Sequence, residues 1–339
     1  MNSVKRKYSK EFDIIGLGRD NSWKSNIAAE QKRLAQAIPE KDRNLLNQCP
    51  ICEHDHLLEL CNIYGYPYVE CESCGHIFSA HSPKQSAIKS LYTSEEDELK
   101  SIQTEIYANI ELFHKRIQMI AEPKVNYVNA CLSSKGKWVD VGCGVGEILV
   151  AAQNSGWKVM GIEGDPVEVE FARSHGIEIK NTYIDENNRS QLLNDVEVVS
   201  FFNVIEHIID PNTFLKVTIS TLKSNSYVVI EVPRHPSLSS LAIMSYPNLA
   251  GRHIYPPDHL HIFTEKSLEL LLTKYDLQPK FIWLFGQDYY EMITSLAYTS
   301  SLNTKSDFFK KLVYNANQIQ SAIDISGLSD SMIVISQKK

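Results

Sequence analysis

The sequence predicts an α/β fold in which a doubly wound parallel sheet is preceded by a small metal-binding module. Three observations predict it. From Lys137 to about Gly286, short β-branched runs alternate with helical stretches at close spacing, the pattern of βα units. Within that region Trp138-Val-Asp140-Val-Gly142-Cys143-Gly144-Val-Gly146-Glu147 reads as a buried strand, a turn that only glycine can follow, and a helix start. Ahead of it stand two Cys-x-x-Cys pairs, Cys49 with Cys52 and Cys71 with Cys74. A chain of 339 residues with 43% hydrophobic residues has room for one large domain and a small one. The expected division is a polar arm over 1–47, the cysteine module over 48–82, a helical linker or lid over 83–132, and the α/β domain over 133–339 with a helical insertion near 287–328.

In order along the chain, the arm offers one helix, Ser25 to Ala37, and no chemistry. In the module, two Cys-x-x-Cys knuckles flanking residues 53–70 can bring four thiolates around one zinc ion. Ile63, Tyr64, Tyr66, Tyr68 and Val69 suit the short strands of a zinc ribbon. Four soft ligands with no open position point to a structural site, and His54, His56 and His76 stand near enough to replace one thiolate. A redox dithiol would want a thioredoxin-like strand and helix context, which is missing. The linker repeats Leu91, Tyr92, Ile102, Ile106, Ile110, Phe113, Ile117 and Ile120 at helical spacing, and Pro123 marks a break before a second helix, Val125 to Leu132. Such helices can cover a cofactor or simply pack. Strands are expected at Lys137–Val141, Lys158–Ile162, Ile177–Ile179, Val196–Phe202, Tyr227–Val232, Phe281–Leu284 and Ser331–Ser336.

A strand, glycine turn and helix place backbone N–H groups and the positive helix end before a ligand at the carboxyl edge of the sheet, as in Rossmann-like folds. A dinucleotide fingerprint would need glycine where Glu147 stands, and a P-loop would need Gly-Lys-Ser/Thr. What fits is acid-x-Gly-x-Gly-x-Gly, Asp140 to Gly146, and this pattern resembles the class I S-adenosylmethionine-dependent methyltransferases. The resemblance implies a seven-stranded sheet whose last strand is antiparallel, and S-adenosylmethionine as cofactor. Further segments extend it. Gly161-Ile-Glu163-Gly164-Asp165-Pro166 ends the second strand with an acid placed for the ribose hydroxyls, Glu163, while Asp165 caps the next helix. Tyr183, Ile184 and Asp185 hold the positions that flank the adenine. Phe202-Asn203-Val204-Ile205-Glu206-His207-Ile208-Ile209-Asp210-Pro211 is similar to the family's segment after the fourth strand, which implies Asn203 and Val204 beside the methionine part and His207 near the substrate mouth.

Beyond the fifth strand, Tyr255-Pro-Pro-Asp258-His259-Leu-His261-Ile-Phe263-Thr264 sets two histidines and an acid on a proline-stiffened loop, the best source of a general base. The segment resembles bacterial methyltransferases of sugar and cell-surface pathways. It is more loosely similar to deoxysugar C-methyltransferases, which also carry a four-cysteine zinc module and whose catalytic histidine matches His259. The departures are a proline, Pro256, where those enzymes have tyrosine, with Tyr255 one place away, and only about fifty residues beyond Gly286 where they carry a further sugar-binding domain. His207, His259 and His261 are thus the candidate catalytic residues. The alternative is that His259 and His261 bridge the loop to the helix after Thr264.

A net charge of −7 without a long basic run argues against nucleic acid as the main partner. No apolar run is long enough to span a membrane, no secretory signal opens the chain, and seven cysteines in this arrangement suit a reducing cytoplasm. The expectation is methyl transfer to a small, carbohydrate-type acceptor. The rivals are a zinc-ribbon methyltransferase acting on ribosomal RNA and a non-catalytic interaction protein that keeps a cofactor-binding fold.

Overall fold

The structure is a computed structural model and describes residues 1, 3–11, 21–88, 109–247, 249 and 251–339. The chain opens with β1 (Lys5–Tyr8) and, further on, the helix Asn21–Ala37. The short β2 (Arg43–Leu45) pairs with β6 (His81–Pro83), enclosing the module strands β3 (Leu57–Ile63), β4 (Tyr66–Cys71) and β5 (Ile77–Ser79). The α/β region supplies β7 (Lys137–Val141), β8 (Lys158–Glu163), β9 (Ile179–Asn181), β10 (Val196–Phe202), β11 (Tyr227–Pro233), β12 (His261–Ile262), β13 (Leu277–Phe285) and β14 (Ser331–Lys338).

The main sheet has eight strands in the order β1-β13-β14-β11-β10-β7-β8-β9. Within it β14 runs antiparallel to both neighbours, and the other pairings are parallel. Seven strands form where strands were expected, the third displaced from Ile177–Ile179 to Ile179–Asn181, and the seven-strand expectation is corrected by one. The arm read as lacking structure beyond a helix contributes β1, parallel to β13. All four β1 residues are exposed, so the strand carries no apolar alternation for a sequence reading to find. It covers the sheet edge, with the Lys7 ammonium 3.7 Å from the Trp283 ring centroid and the Trp283 indole N–H donating to the Ser9 carbonyl at 2.8 Å.

Successive strand residues point to opposite faces, and two cores result. Trp138, Val198, Val229, Trp283 and Ile333 face one layer, which holds Phe113, Val125, Val128 and Ile148. Val139, Val199, Ile230, Leu284 and Val334 face the other, with Leu215, Leu268 and Leu271 and with Ile51, Val69 and Phe78 of the cysteine module. Of the expected linker, residues 89–108 lie outside the described residues. Pro123 does not break the chain. It follows a π turn, Ile117–Ala121, through which the backbone stays helical from Ile110–Arg116 into Glu122–Cys131, and the proline is accommodated beside that turn. The insertion forms three helices, Asp288–Thr299, Asp307–Tyr314 and Ala316–Ile325, with a small core of their own.

One pairing ties the regions together. β12 adds to the module as the edge of the sheet β12-β5-β4-β3, with His261 opposite Phe78 and Ile262 opposite Ile77. Among the described residues no helix is long and apolar enough to cross a membrane.

Candidate active site

Strand order reverses between β7 and β10, so the crevice at their carboxyl ends is the topological switch point. The loop after β7 occupies it. Gly142, Gly144 and Gly146 have φ of +68°, +52° and +85°, and the last is the N-cap of the helix Glu147–Asn154. A Cβ at Gly142 would stand 2.7 Å from Val204 Cγ2, which shows how closely the loop approaches the segment after β10.

Glu163, the last residue of β8, staples the loop. Its Oε2 accepts from the Gly144 N–H at 2.9 Å, and its Oε1 accepts from Gly164 and Asp165 at 2.6 and 2.9 Å. A carboxylate oxygen accepts two hydrogen bonds, so Oε1 is full and Oε2 keeps one lone pair for a hydroxyl donor. Asp165 caps the next helix through Val167 and Glu168, as expected. The Tyr183 ring lies across Gly164, whose hypothetical Cβ would be 2.3 Å from it. Asp185 accepts from the N–H groups of Asn187 and Asn188 and so shapes its own turn.

Asp140 stands beneath the loop. Its Oδ1 accepts from Ser200 Oγ at 2.5 Å, which itself accepts from the Trp138 indole at 2.7 Å, and burial pushes the Asp140 carboxyl up to about 7. Cys143 is buried against Gly161, and burial raises its thiol. Asn203 adopts a left-handed conformation, φ +56°, at the end of β10, and its N–H donates to the Glu231 carbonyl at 3.0 Å. Glu231 and Lys124 form a buried ion pair at 2.5 Å.

The histidine loop closes the other side. Nδ1 of His259 is 3.0 Å from the His253 carbonyl, and a carbonyl only accepts, so Nδ1 carries the proton and Nε2 keeps its lone pair. Burial, reinforced by His207 and His253, depresses the pKa of His259 and leaves the ring neutral at physiological pH. The rings of His207 and His259 meet edge to face at 4.6 Å, and Tyr255 packs on His259 at 4.2 Å. The His259 N–H donates to the Tyr255 carbonyl at 2.9 Å, so the turn brings the displaced tyrosine onto the histidine. Ligand-type atoms of Glu206, His207 and His259 lie within 4.8 Å of one another. Glu206 is buried, neither carboxyl oxygen has a partner among the described residues, and burial raises its pKa well above the carboxylate range. His261 is different: Nε2 donates to the Ile208 carbonyl at 2.9 Å, which leaves Nδ1 to accept from His76 at 3.1 Å. Both of its nitrogens are committed.

The cysteine cluster is compact. Cys49 and Cys74 sulfurs are 3.7 Å apart, Cys52 and Cys71 3.5 Å, and Cys52 and Cys74 3.4 Å, and all four lie within 4.8 Å of one another. His76 faces His261 rather than the cluster.

Missed by sequence reasoning were the partners: Ser200 under Asp140, Tyr68 under the histidine loop, and the Lys124–Glu231 pair. Each sits on a strand or helix face whose composition looks like ordinary packing, and no spacing singles it out.

This switch-point loop, with its acid-flanked glycines and the carboxylate ending the next strand, resembles that of class I, S-adenosylmethionine-dependent methyltransferase domains. Residues 112–279 match the family model described as a methyltransferase domain. The chain is similar to the ubiquinone biosynthesis O-methyltransferase of Marinobacter nauticus, 28% identical over 130 residues, 36% of this chain and 55% of that protein. It is also similar to the enzyme of that name from Proteus mirabilis, 30% identical over 97 residues, 27% of this chain and 40% of that protein. The chain thus spans between two fifths and about half of the length of these relatives. Among solved structures, the plantazolicin methyltransferase BpumL in complex with SAH is 19% identical with a TM-score of 0.45, covering 74% of this chain and 93% of that one.

Proposed function

We propose that the chain transfers a methyl group from S-adenosylmethionine to a small acceptor of carbohydrate type, such as a nucleotide-linked sugar, with His259 as general base. The observation that carries this is Glu163 at the switch point, positioned by three loop N–H groups with one lone pair of Oε2 left over. The glycine loop, Gly164, Asn203 and Val204 would hold the cofactor, with Asp140 setting the loop from beneath and Asp185 shaping the turn beside the adenine. The cofactor's sulfonium makes its methyl group electrophilic without help from the protein. The chain's task is to align the acceptor with that carbon and to take the acceptor proton. His259 Nε2 is unprotonated and its ring meets that of His207 edge to face, so the proton is assigned to this pair, whereas His261 bridges the loop to the module. The relatives bear the name of O-methyltransferases, which favours an oxygen acceptor. The likeness of the Asp258 to Thr264 segment to sugar-pathway enzymes favours a carbohydrate.

Four thiols at 3.4–3.7 Å match the roughly 3.8 Å edge of a tetrahedron with sulfur about 2.3 Å from zinc. The Cys49 thiol is pulled down to about 6, first by its contact with Cys74. We assign Cys49, Cys52, Cys71 and Cys74 to one structural zinc, and a chain whose seven cysteines form no disulfide among the described residues to the cytoplasm.

Calorimetry with S-adenosylhomocysteine tests the cofactor reading. The purified protein should bind, and Glu163→Ala should weaken binding by about 10-fold or more, the worth of a hydrogen bond to a charged group. No binding to the zinc-loaded protein would overturn it. His259→Ala should bind normally and lose turnover, and normal turnover would remove His259 as the base.

A further inference from the structure

The cysteine module is not a separate appendage, because its strands hold the loop that carries His259. β12 begins two residues after His259 and is the edge strand of the module's sheet. The Ser79 N–H donates to the Leu260 carbonyl at 2.9 Å and extends that ladder to the residue beside His259. Tyr68, fully buried in β4, donates its hydroxyl to the carbonyl of His259 itself at 2.7 Å. Burial raises the Tyr68 pKa well above the ordinary value, so the hydroxyl stays a donor. On the far side of the loop Thr264 Oγ1 donates to the Cys74 carbonyl at 2.8 Å, and Lys266 donates to the Ser73 carbonyl. The knuckle turn presents these carbonyls through Gly75, φ +70°, where a Cβ would stand 3.1 Å from Thr264 Cγ2. His76 completes the clamp through His261. The loop from His259 to Lys266 is therefore bonded to the module at His259, Leu260, His261, Thr264 and Lys266.

We propose that Tyr68 and the Cys71–Cys74 knuckle are positioning elements for His259, so that the metal-loaded module sets the orientation of the base while the cofactor half of the cleft stands without it. This rests on the reading of His259 as the base. Its contacts lie on the acceptor side. Among the described residues, none of the bonds that shape the glycine loop or hold Glu163 comes from the module.

The test is nitrogen-15 NMR of histidine-labelled, zinc-loaded protein, with the His259 ring assigned by its loss in His259→Gln. The folded protein should show the Nδ1–H tautomer that the His253 carbonyl imposes. Chelating the metal, or Cys74→Ser, should replace that signature by tautomer averaging while S-adenosylhomocysteine affinity stays within about two-fold. Tyr68→Phe should perturb the His259 signal with metal content and cofactor affinity unchanged. An unaltered His259 signature in the chelated protein and in Tyr68→Phe overturns the proposal. So does a loss of cofactor affinity in parallel with the signature at a temperature where the chelated protein is still folded, which would make the module's effect general to the whole cleft rather than specific to His259. Failure of the base reading is seen separately, as normal turnover of His259→Ala.

Discussion

At position 142 backbone geometry and packing make separate demands that can be measured apart. Gly142 has φ +68° and faces Val204 at 2.7 Å from a hypothetical Cβ. Alanine in the left-handed region costs about 1–2 kcal/mol, and the contact adds to it. Gly142→Ala should therefore lower both thermal stability and S-adenosylhomocysteine affinity. Adding Val204→Ala removes the contact and leaves the dihedral cost, so the double variant should recover part of the loss. Full recovery would mean that φ is unimportant here, and no recovery would place Val204 away from the loop in solution. These residues were legible in the sequence because a turn of this conformation admits few residue types. Glu163 was legible for a related reason: its place at a strand end, a fixed distance after the glycines, follows from fold geometry. Tyr68 and Ser200 were not, since a tyrosine in an aromatic strand and a serine in a buried strand satisfy many environments. Asp185 and His261 show the converse. Both stand where sequence reasoning placed a cofactor contact or a base, yet one oxygen of Asp185 is engaged in its own turn and both nitrogens of His261 in a bridge.

At the scale of elements, the central strands read from the sequence owe their legibility to apolar runs buried on both faces, whereas β9, buried only at Ile179, was read two residues early. β1 and β12 were invisible for opposite reasons. β1 is exposed at all four residues and is held by its backbone and by Ser9 beyond it, and β12 is two residues long inside a loop read for chemistry. The contribution of β1 can be measured by deleting residues 1–10. The deletion leaves the Trp283 indole N–H without its acceptor and Leu284 without the Ser9 N–H on its carbonyl, and it removes the bidentate Arg6–Glu265 pair. One unsatisfied buried donor costs about 1–3 kcal/mol. The shortened protein should melt several degrees lower and associate in a concentration-dependent way, because the flank of β13 becomes an open edge. An unchanged melting temperature together with a monomeric state would show that β1 is not formed in solution.

On the scale of the whole molecule, the pairing of β12 with β5 predicts how the chain unfolds. Composition and spacing divide the sequence into a cysteine module and an α/β domain, and from that division two independent melting transitions would follow. The packing says otherwise. Ile51, Val69 and Phe78 of the module lie in the same buried cluster as Val139, Val199 and Leu268. The Cys74 carbonyl accepts from Thr264, which also caps the helix Glu265–Thr273 through the Ser267 N–H. Neither core can open without exposing apolar surface of the other, so calorimetry of the zinc-loaded protein should give a single cooperative transition. Metal binding to a site that exists only in the fold contributes directly to folding free energy. Chelation or Cys49→Ser should therefore move that one transition down by more than about 5 °C rather than split off a small early one. Two transitions, the earlier alone sensitive to metal, would mean that the shared sheet edge and core do not couple the regions. A single transition that ignores chelation would remove the zinc assignment while leaving the shared core intact.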